Sequence, residues 1–385
     1  MYKTLYQEIK EKESIFFFFS FIFIALFFSW GNTSLGILFL LFHIIYLLWT
    51  KEFISYLDTK NRTNIIIYLF LLWGFLISFF AYDKSLAFLS MIAYSLMIIT
   101  IYIASQKLIF YKDFSLKLLL PMSTFGITIS ASYTIILYFT QNIRRSQTFF
   151  VGVNGAGTLF TIAFAILLGY FEYTKNKKKY ILLLPITLTI FALLLTYSRG
   201  ALLGFLATIT FYNLRSKKHF IIFLIILILI FSIIFNYSPL KNRFLSIFSL
   251  EKNKERINIW KSTINMIKDH PLIGIGPGNY RIIYPEYRIS DKKSNKTFSF
   301  SHNIFSNITS EMGFIGLILF TWIIIITMKR GFYISSISPL YRGIQAAFIG
   351  TLIHEQFDCI IMGVDIGGAF WLIVGLITAI YIQKK

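Results

Sequence analysis

His302 stands in the polar cluster Ser301-His302-Asn303 at the head of a long apolar run that also carries Glu311, Gly313 and Gly316. Imidazole titrates near about 6.5, so its neutral form can take a hydroxyl proton near neutral pH, which is general-base chemistry. The plain alternative for a lone histidine is that it caps or anchors its helix. On a continuous helix at about 100° per residue, Gly313 falls about 20° from His302 and Glu311 about 180° away. His302 and Gly313 then share one face, and the glycine lets a neighbouring helix approach beneath the imidazole. Glu311 reads as a packing or second-site group and not as the partner of His302.

Several arginines could hold an anion for that base to work beside. Arg199 lies between Ser198 and Gly200 where another apolar run begins. Its bland reading is interfacial snorkelling, and its functional reading is a guanidinium fork for phosphate oxygens. Arg256 precedes an amphipathic stretch, and a cation at a helix start is mildly disfavoured by the dipole, which points to an anionic partner. Arg281 and Arg288 compete with it. Arg144 and Arg145 precede Gly152-Val153-Asn154-Gly155-Ala156-Gly157, and Arg145 is the third candidate ligand, with interface anchoring as its alternative. His354, Glu355 and Asp358 lie near the end of a further apolar run. Ionisable groups at membrane depth are candidates for function. On a helix His354 and Asp358 would be neighbours, able either to orient His302 or the acceptor or to make a helix-to-helix hydrogen bond.

The elements that must position these residues are transmembrane helices. The 385 residues are 56% hydrophobic and only 14% charged, and runs long enough to cross about 30 Å of hydrocarbon recur along the whole chain. Twelve spans are predicted, near 15–30, 35–49, 64–81, 86–104, 118–140, 155–171, 180–197, 200–213, 219–237, 302–328, 340–361 and 365–382. Those at 35–49 and 200–213 are short and need tilt, thinning or extension into a loop. No strand alternation is present, so an all-α polytopic bundle is expected and not a barrel. The chain then divides into nine spans over 1–237, a long loop over 238–301 and three spans over 302–385, all one membrane domain.

Lys and Arg set the orientation, because cytoplasmic loops are enriched in them. One side carries Lys3, Lys10 and Lys12, then Lys51, Lys60 and Arg62, and then Lys107, Lys112 and Lys117. It continues with Lys175 to Lys179, with Arg215, Lys217 and Lys218, with Lys329, Arg330 and Arg342, and with Lys384 and Lys385. Both termini are therefore expected in the cytoplasm. The short outer loops hold only Lys84, Arg144, Arg145 and Arg199, so a basic residue there needs another reason. Much of the net charge of +20 is accounted for in this way, which argues against a nucleic-acid partner and leaves membrane lipids as the surroundings. The first apolar run lacks a small-residue cleavage site and is read as retained. A single cysteine, Cys359, excludes an intrachain disulfide framework, and no Cys/His cluster has zinc spacing, so neither metal nor cofactor is expected.

The outer loop over 238–301 is far longer than an ordinary connection and is expected to be functional. Ile257, Trp260, Ile264 and Ile267 form one apolar stripe on a helix. That helix is expected to lie along the membrane surface or over the bundle. After His270-Pro271, the segment Gly274-Ile275-Gly276-Pro277-Gly278-Asn279-Tyr280 predicts a tight turn back toward the spans.

These segments carry a resemblance. Asp269 to Tyr280, Ser301 to Phe305 with Glu311 to Gly316, and Tyr197-Ser198-Arg199-Gly200 occur in an order that resembles the O-antigen ligase and O-antigen polymerase superfamily of bacterial inner-membrane glycosyltransferases. The likeness runs roughly from Arg144 to Asp365. It implies about twelve spans, a large periplasmic loop late in the chain and an active site at the periplasmic face of the inner membrane. It further implies a glycan linked to undecaprenyl diphosphate as donor, with no nucleotide sugar or metal. The resemblance makes His302 catalytic, an outer-loop arginine matched best by Arg256 a donor ligand, and Arg145 a more distant match, because Asn154-Gly155 stands where Pro-Asn is common. Arg199 with Leu203 is similar to an Arg-x-x-x-Leu motif of the ligase branch, and His302 with Gly313 to its His-x10-Gly pattern. A ligase that joins the glycan to the lipid A core is therefore expected first, with a polymerase or a protein O-glycosylating ligase as relatives in chemistry. A transporter of lipid or polysaccharide would instead gather its polar residues and broken helices at mid-membrane.

Overall fold

The computed structural model describes residues 61–107, 119–289 apart from 142, 144, 150, 215 and 216, and 297–385. The predicted spans at 15–30 and 35–49, and Arg144, lie outside the described residues. The remaining predicted spans all coincide with helices. In order these are α1 Arg62–Ser78, α2 Lys84–Lys107, α3 Leu120–Thr140, α4 Val153–Tyr173, α5 Leu183–Leu195, α6 Arg199–Asn213 and α7 Lys217–Asn236. Three loop helices follow, α8 Ser238–Leu245, α9 Leu250–Asp269 and α10 Tyr280–Tyr287, and then α11 Ile304–Ser335, α12 Pro339–His354 and α13 Val364–Lys384. No strand occurs among the described residues. The helices long and apolar enough to cross a membrane are α3, α4, the stretch Lys177–Leu195 that includes α5, α11, and Ile366–Lys384 of α13. With 15 residues, α6 reaches only about 22 Å and falls short of a full crossing.

The centre of the bundle is α4 packed against α6 and α12. Small residues allow that close approach, as expected where helices meet without a hydrophobic gradient between them. A Cβ on Gly204 of α6 would meet the carbonyl of Gly350 on α12, and one on Gly343 would meet the carbonyl of Ala165 on α4. Thr208 Oγ1 donates across the same crossing to the Ala346 carbonyl at 3.3 Å. The crossing fixes where α6 begins, at Arg199, relative to where α12 ends, at His354. Connections at that end of the bundle interlock, since Ser146 donates from its backbone to Leu195 at 3.0 Å and Ile304 to Glu355 at 2.9 Å.

At α11 the structure departs from the sequence expectation. Asn303 caps the helix, its Oδ1 accepting from Ser306 N at 3.0 Å, so His302 lies before the helix and not on it. Gly313 then breaks the helix with φ 67° and ψ −176°. The shared face of His302 and Gly313 does not exist, because an 11-residue count along one helix loses its meaning when neither end is helical. Gly313 instead gives room to the loop, since a Cβ there would strike the Leu272 carbonyl. The break frees backbone groups, and the turn after α9 satisfies them: Ile275 N donates to Ser310 O at 2.9 Å, Gly276 N to Glu311 O at 3.0 Å, and Phe314 N to Pro271 O at 2.8 Å. Trp73 Nε1 takes the Met312 carbonyl at 2.9 Å. Gly274, Gly276 and Gly278 all have positive φ, which only glycine adopts without strain. Glu311 is buried in this joint and accepts from Tyr280 N at 3.3 Å, in keeping with a packing role.

The loop helix α9 packs over α11, but with a different face from the apolar stripe. Its buried residues are Ile259, Ser262, Thr263 and Met266, while Ile264 is 49% exposed. That face packs Ile259 and Met266 with Ile275, Tyr280, Ile283 and Tyr284, and its hydroxyl residues find partners, Thr263 Oγ1 pairing with Tyr280 OH at 2.7 Å.

If the α4, α6 and α12 crossing fixes the bundle, Gly204→Leu overpacks it and lowers stability by about 1–3 kcal/mol. Thermal unfolding of the detergent-purified protein checks this, with Gly152→Ala as control because that position faces open space. An unchanged unfolding temperature for Gly204→Leu would show that the crossing is not close.

Candidate active site

Among the described residues the two non-glycine residues with positive φ, Tyr197 at 51° and His302 at 56°, both lie at the interlocked end of the bundle. Such conformations cost free energy and persist where the surroundings fix them. Around His302 the fixing is done by Ser301, whose backbone N–H donates to Asn307 Oδ1 at 3.0 Å, and by Asn303, whose Nδ2 donates to the Gln356 carbonyl at 3.2 Å. The imidazole Nδ1 lies 3.2 Å from Asp358 Oδ1. The His302 side chain is 28% exposed and that of Asp358 12%, so the ring can meet a substrate while its partner carboxylate stays sheltered.

Beside this pair is a polar cavity of about 70 Å³ whose lining includes Arg145, Arg199, Arg243, Arg256, His354 and Asp358. Arg199 opens α6 behind its cap Ser198, and its guanidinium donates to the Ser246 carbonyl at 2.9 Å. Arg256 lies in the second turn of α9 and lines the cavity from the loop side. Arg145 donates from Nε to the Thr196 carbonyl at 3.2 Å and from Nη2 to Asn154 Oδ1 at 2.9 Å. Arg243 of α8 donates from Nε to the Tyr197 carbonyl at 2.9 Å. That carbonyl is presented by the left-handed turn at Tyr197.

Four guanidiniums here face one lining carboxylate. Burial, and then the repulsion of Arg243, pulls Arg145 below the ordinary arginine range. Burial followed by Arg256 does the same to Arg243, and burial lowers Arg256 against the attraction of Asp358. Guanidinium does not give up its proton in such a setting, so the strain is stored as unneutralised positive charge. The helices α4 and α6 also begin at this cavity, adding their positive ends. The arrangement can hold an anion with more than one negative charge.

The histidine of α12 has a different place from the one expected. The helix ends at His354, so Asp358 is not its neighbour on a helical turn but lies beyond it in the following turn. His354 is buried, pairs through Nδ1 with Thr158 Oγ1 at 2.6 Å, and packs where a Cβ on Gly200 would strike its ring. Asp358, not His354, reaches His302. Arg288 caps α10 and is not among the cavity's lining residues; Arg281 is exposed on α10. Sequence reasoning missed Arg243, and it treated Asn154 as part of a glycine-rich helix start without giving it a role. One signal was available for Arg243: lysine far outnumbers arginine in this chain, so an arginine in the long loop stands out as a fork and not merely a charge.

Comparison with curated proteins gives no match for this chain. Residues 184–321 match the O-antigen ligase family. The matched stretch contains Arg199, Arg243, Arg256 and His302, whereas Arg145, Asn154, His354 and Asp358 come to the same cavity from outside it. The match covers about a third of the chain, and over that stretch the protein is similar to the O-antigen ligase family.

Proposed function

We infer that this protein is an O-antigen ligase that transfers a glycan from undecaprenyl diphosphate to a hydroxyl of the lipid A core. The observation that carries the reading is the convergence of Arg145, Arg199, Arg243 and Arg256 on one cavity beside the His302–Asp358 pair. A diphosphate matches that charge. A second, shallow groove shares Ser198, Arg199 and Arg243 with the first and is otherwise largely apolar, lined by residues such as Leu194, Leu202, Ile234 and Phe244. An apolar groove ending on arginines suits a lipid tail with an anionic head.

In the proposed reaction Asp358 accepts a hydrogen bond from the Nδ1–H of His302, which leaves Nε2 as the acceptor for the proton of the sugar hydroxyl. The deprotonating hydroxyl attacks the anomeric carbon, the bond to the diphosphate oxygen breaks, and the arginines stabilise the charge that develops on the leaving group. No covalent glycosyl intermediate is needed, so the anomeric configuration inverts. No metal takes part in this scheme. The site lies at the periplasmic face of the inner membrane, with both termini in the cytoplasm and twelve spans in all. The gathering of these residues at one end of the bundle favours chemistry there over transport through the middle. The same site would serve a polymerase, and the acceptor decides between them: transfer to lipid A core and not to a second lipid-linked glycan identifies the ligase.

Orientation is testable by labelling. With Cys359→Ser as background, a cysteine at the exposed Lys268 of α9 reacts in spheroplasts with a membrane-impermeant thiol reagent. Reaction only after the membrane is broken would reverse the topology.

Arg199→Ala and Arg256→Ala each weaken donor binding by about 10- to 10²-fold, as expected for hydrogen bonds to charged groups worth roughly 1.5–3 kcal/mol. Lysine at either position rescues only in part, because a point charge does not reproduce the fork. Wild-type KM for purified undecaprenyl-diphosphate-linked glycan in either alanine variant removes that arginine from the donor site.

His302→Ala lowers turnover by about 10²–10⁴-fold, the range for a positioned acid or base, while donor binding is largely kept. Full activity of the variant would end the catalytic role, and loss of wild-type activity on adding chelator would end the metal-free scheme.

A further inference from the structure

We propose that Asn154 is a positioning residue that links the arginine site to the base by holding Asp358 between Arg145 and His302. The proposal rests on the reading of His302 as the base. The carboxamide of Asn154 bridges two charged side chains: its Oδ1 accepts from Arg145 Nη2 at 2.9 Å, and its Nδ2 donates to Asp358 Oδ2. The other carboxylate oxygen, Asp358 Oδ1, faces His302 Nδ1 at 3.2 Å and also accepts from Cys359 N at 3.0 Å. A chain of three hydrogen bonds therefore runs from a guanidinium to the imidazole. Its direction is fixed, because guanidinium only donates and an ionised carboxylate only accepts.

The residue type suits this task and little else. Asn154 is the second residue of α4, past the cap position at which asparagine serves the helix backbone. Gly152 takes the cap position and no side-chain cap bond is made, so the Asn154 side chain is turned to tertiary partners. One turn later on the same face Thr158 holds His354, and α4 thus presents two polar groups to the site. An aspartate at 154 would set two carboxylates against each other, and an apolar residue would break the bridge.

Without the bridge, Asp358 is free to pair directly with Arg145, which removes the partner of His302 and occupies a cation of the anion site together. The groups around Asp358 that bear on this are His302, Arg145, Arg256, His354, Glu355 and the Cys359 thiol. Asn154 is what keeps the carboxylate on the imidazole side.

The test uses the purified full chain with undecaprenyl-diphosphate-linked glycan as donor, measuring kcat across pH. Asn154→Ala lowers kcat by about 10- to 10²-fold and moves the acid limb of the kcat profile to lower pH, since an imidazole that loses its carboxylate binds a proton less well. In an Asp358→Asn background the same substitution adds little, because coupled residues are not additive. The isosteric Asn154→Asp keeps the acceptor for Arg145 but cannot donate to Asp358, and its acid limb moves to higher pH; this variant decides the matter if the alanine does not fold. An acid limb unmoved in both variants, or losses that add fully to that of Asp358→Asn, overturns the proposal. Full activity of His302→Ala would instead overturn the reading on which it rests.

Discussion

The site depends on the exchange of backbone hydrogen bonds where α11 breaks at Gly313. A helix broken inside a bundle leaves carbonyls and an N–H without partners, and such groups are costly where water is scarce. Here the turn after α9 supplies them from Pro271, Ile275 and Gly276, and three glycines with positive φ give the turn its shape. The exchange ties a polar loop segment to the helix bundle by main chain. Once the turn is fixed, α9 lies over α11 and Arg256 has its place, while the cap at Asn303 sets His302 just ahead of the same helix.

The second constraint is electrostatic. Arg145, Arg199, Arg243 and Arg256 come from a loop, a helix start and two loop helices, and they converge without enough carboxylate to neutralise them. Each is held in part by backbone or amide acceptors, namely Thr196, Ser246, Tyr197 and Asn154, which fix geometry without cancelling charge. The exception is Arg256, for which the described residues give an attraction to Asp358 but no hydrogen bond. A cavity of that kind is organised for an anion before the anion arrives, which is the arrangement that electrostatic catalysis requires.

Helix positions were legible from the sequence because apolar run length and charge alternation are local properties. Every predicted span within the described residues is a helix, and the shortness of the run at 200–213 is real in α6. The candidacy of Arg145, Arg199, His302 and Asp358 was also legible, since each is a charged or titratable residue near the end of an apolar run, and that of Arg256 from its place in the long loop. What failed were inferences that assumed an unbroken helix. The angle between His302 and Gly313 required helical geometry through both residues, and the pairing of His354 with Asp358 required α12 to run past His354. The stripe on α9 failed because periodicity ranks hydrophobicity within the helix alone, while the packing face was set by what the turn and α10 present, Ile259 and Met266 meeting Ile275 and Ile283 and Thr263 pairing with Tyr280.

By itself, then, the sequence determined a helical membrane chain with a histidine and several arginines as its candidate residues. Those follow from composition and from interactions within a few residues. Which arginines share a cavity, that Asp358 and not His354 meets the imidazole, and that Asn154 bridges Arg145 to Asp358 were decided only by tertiary structure. The contacts responsible join residues 56 and 204 positions apart in the chain, and they exist because small residues let α4, α6 and α12 cross closely while a broken α11 draws the loop onto the bundle.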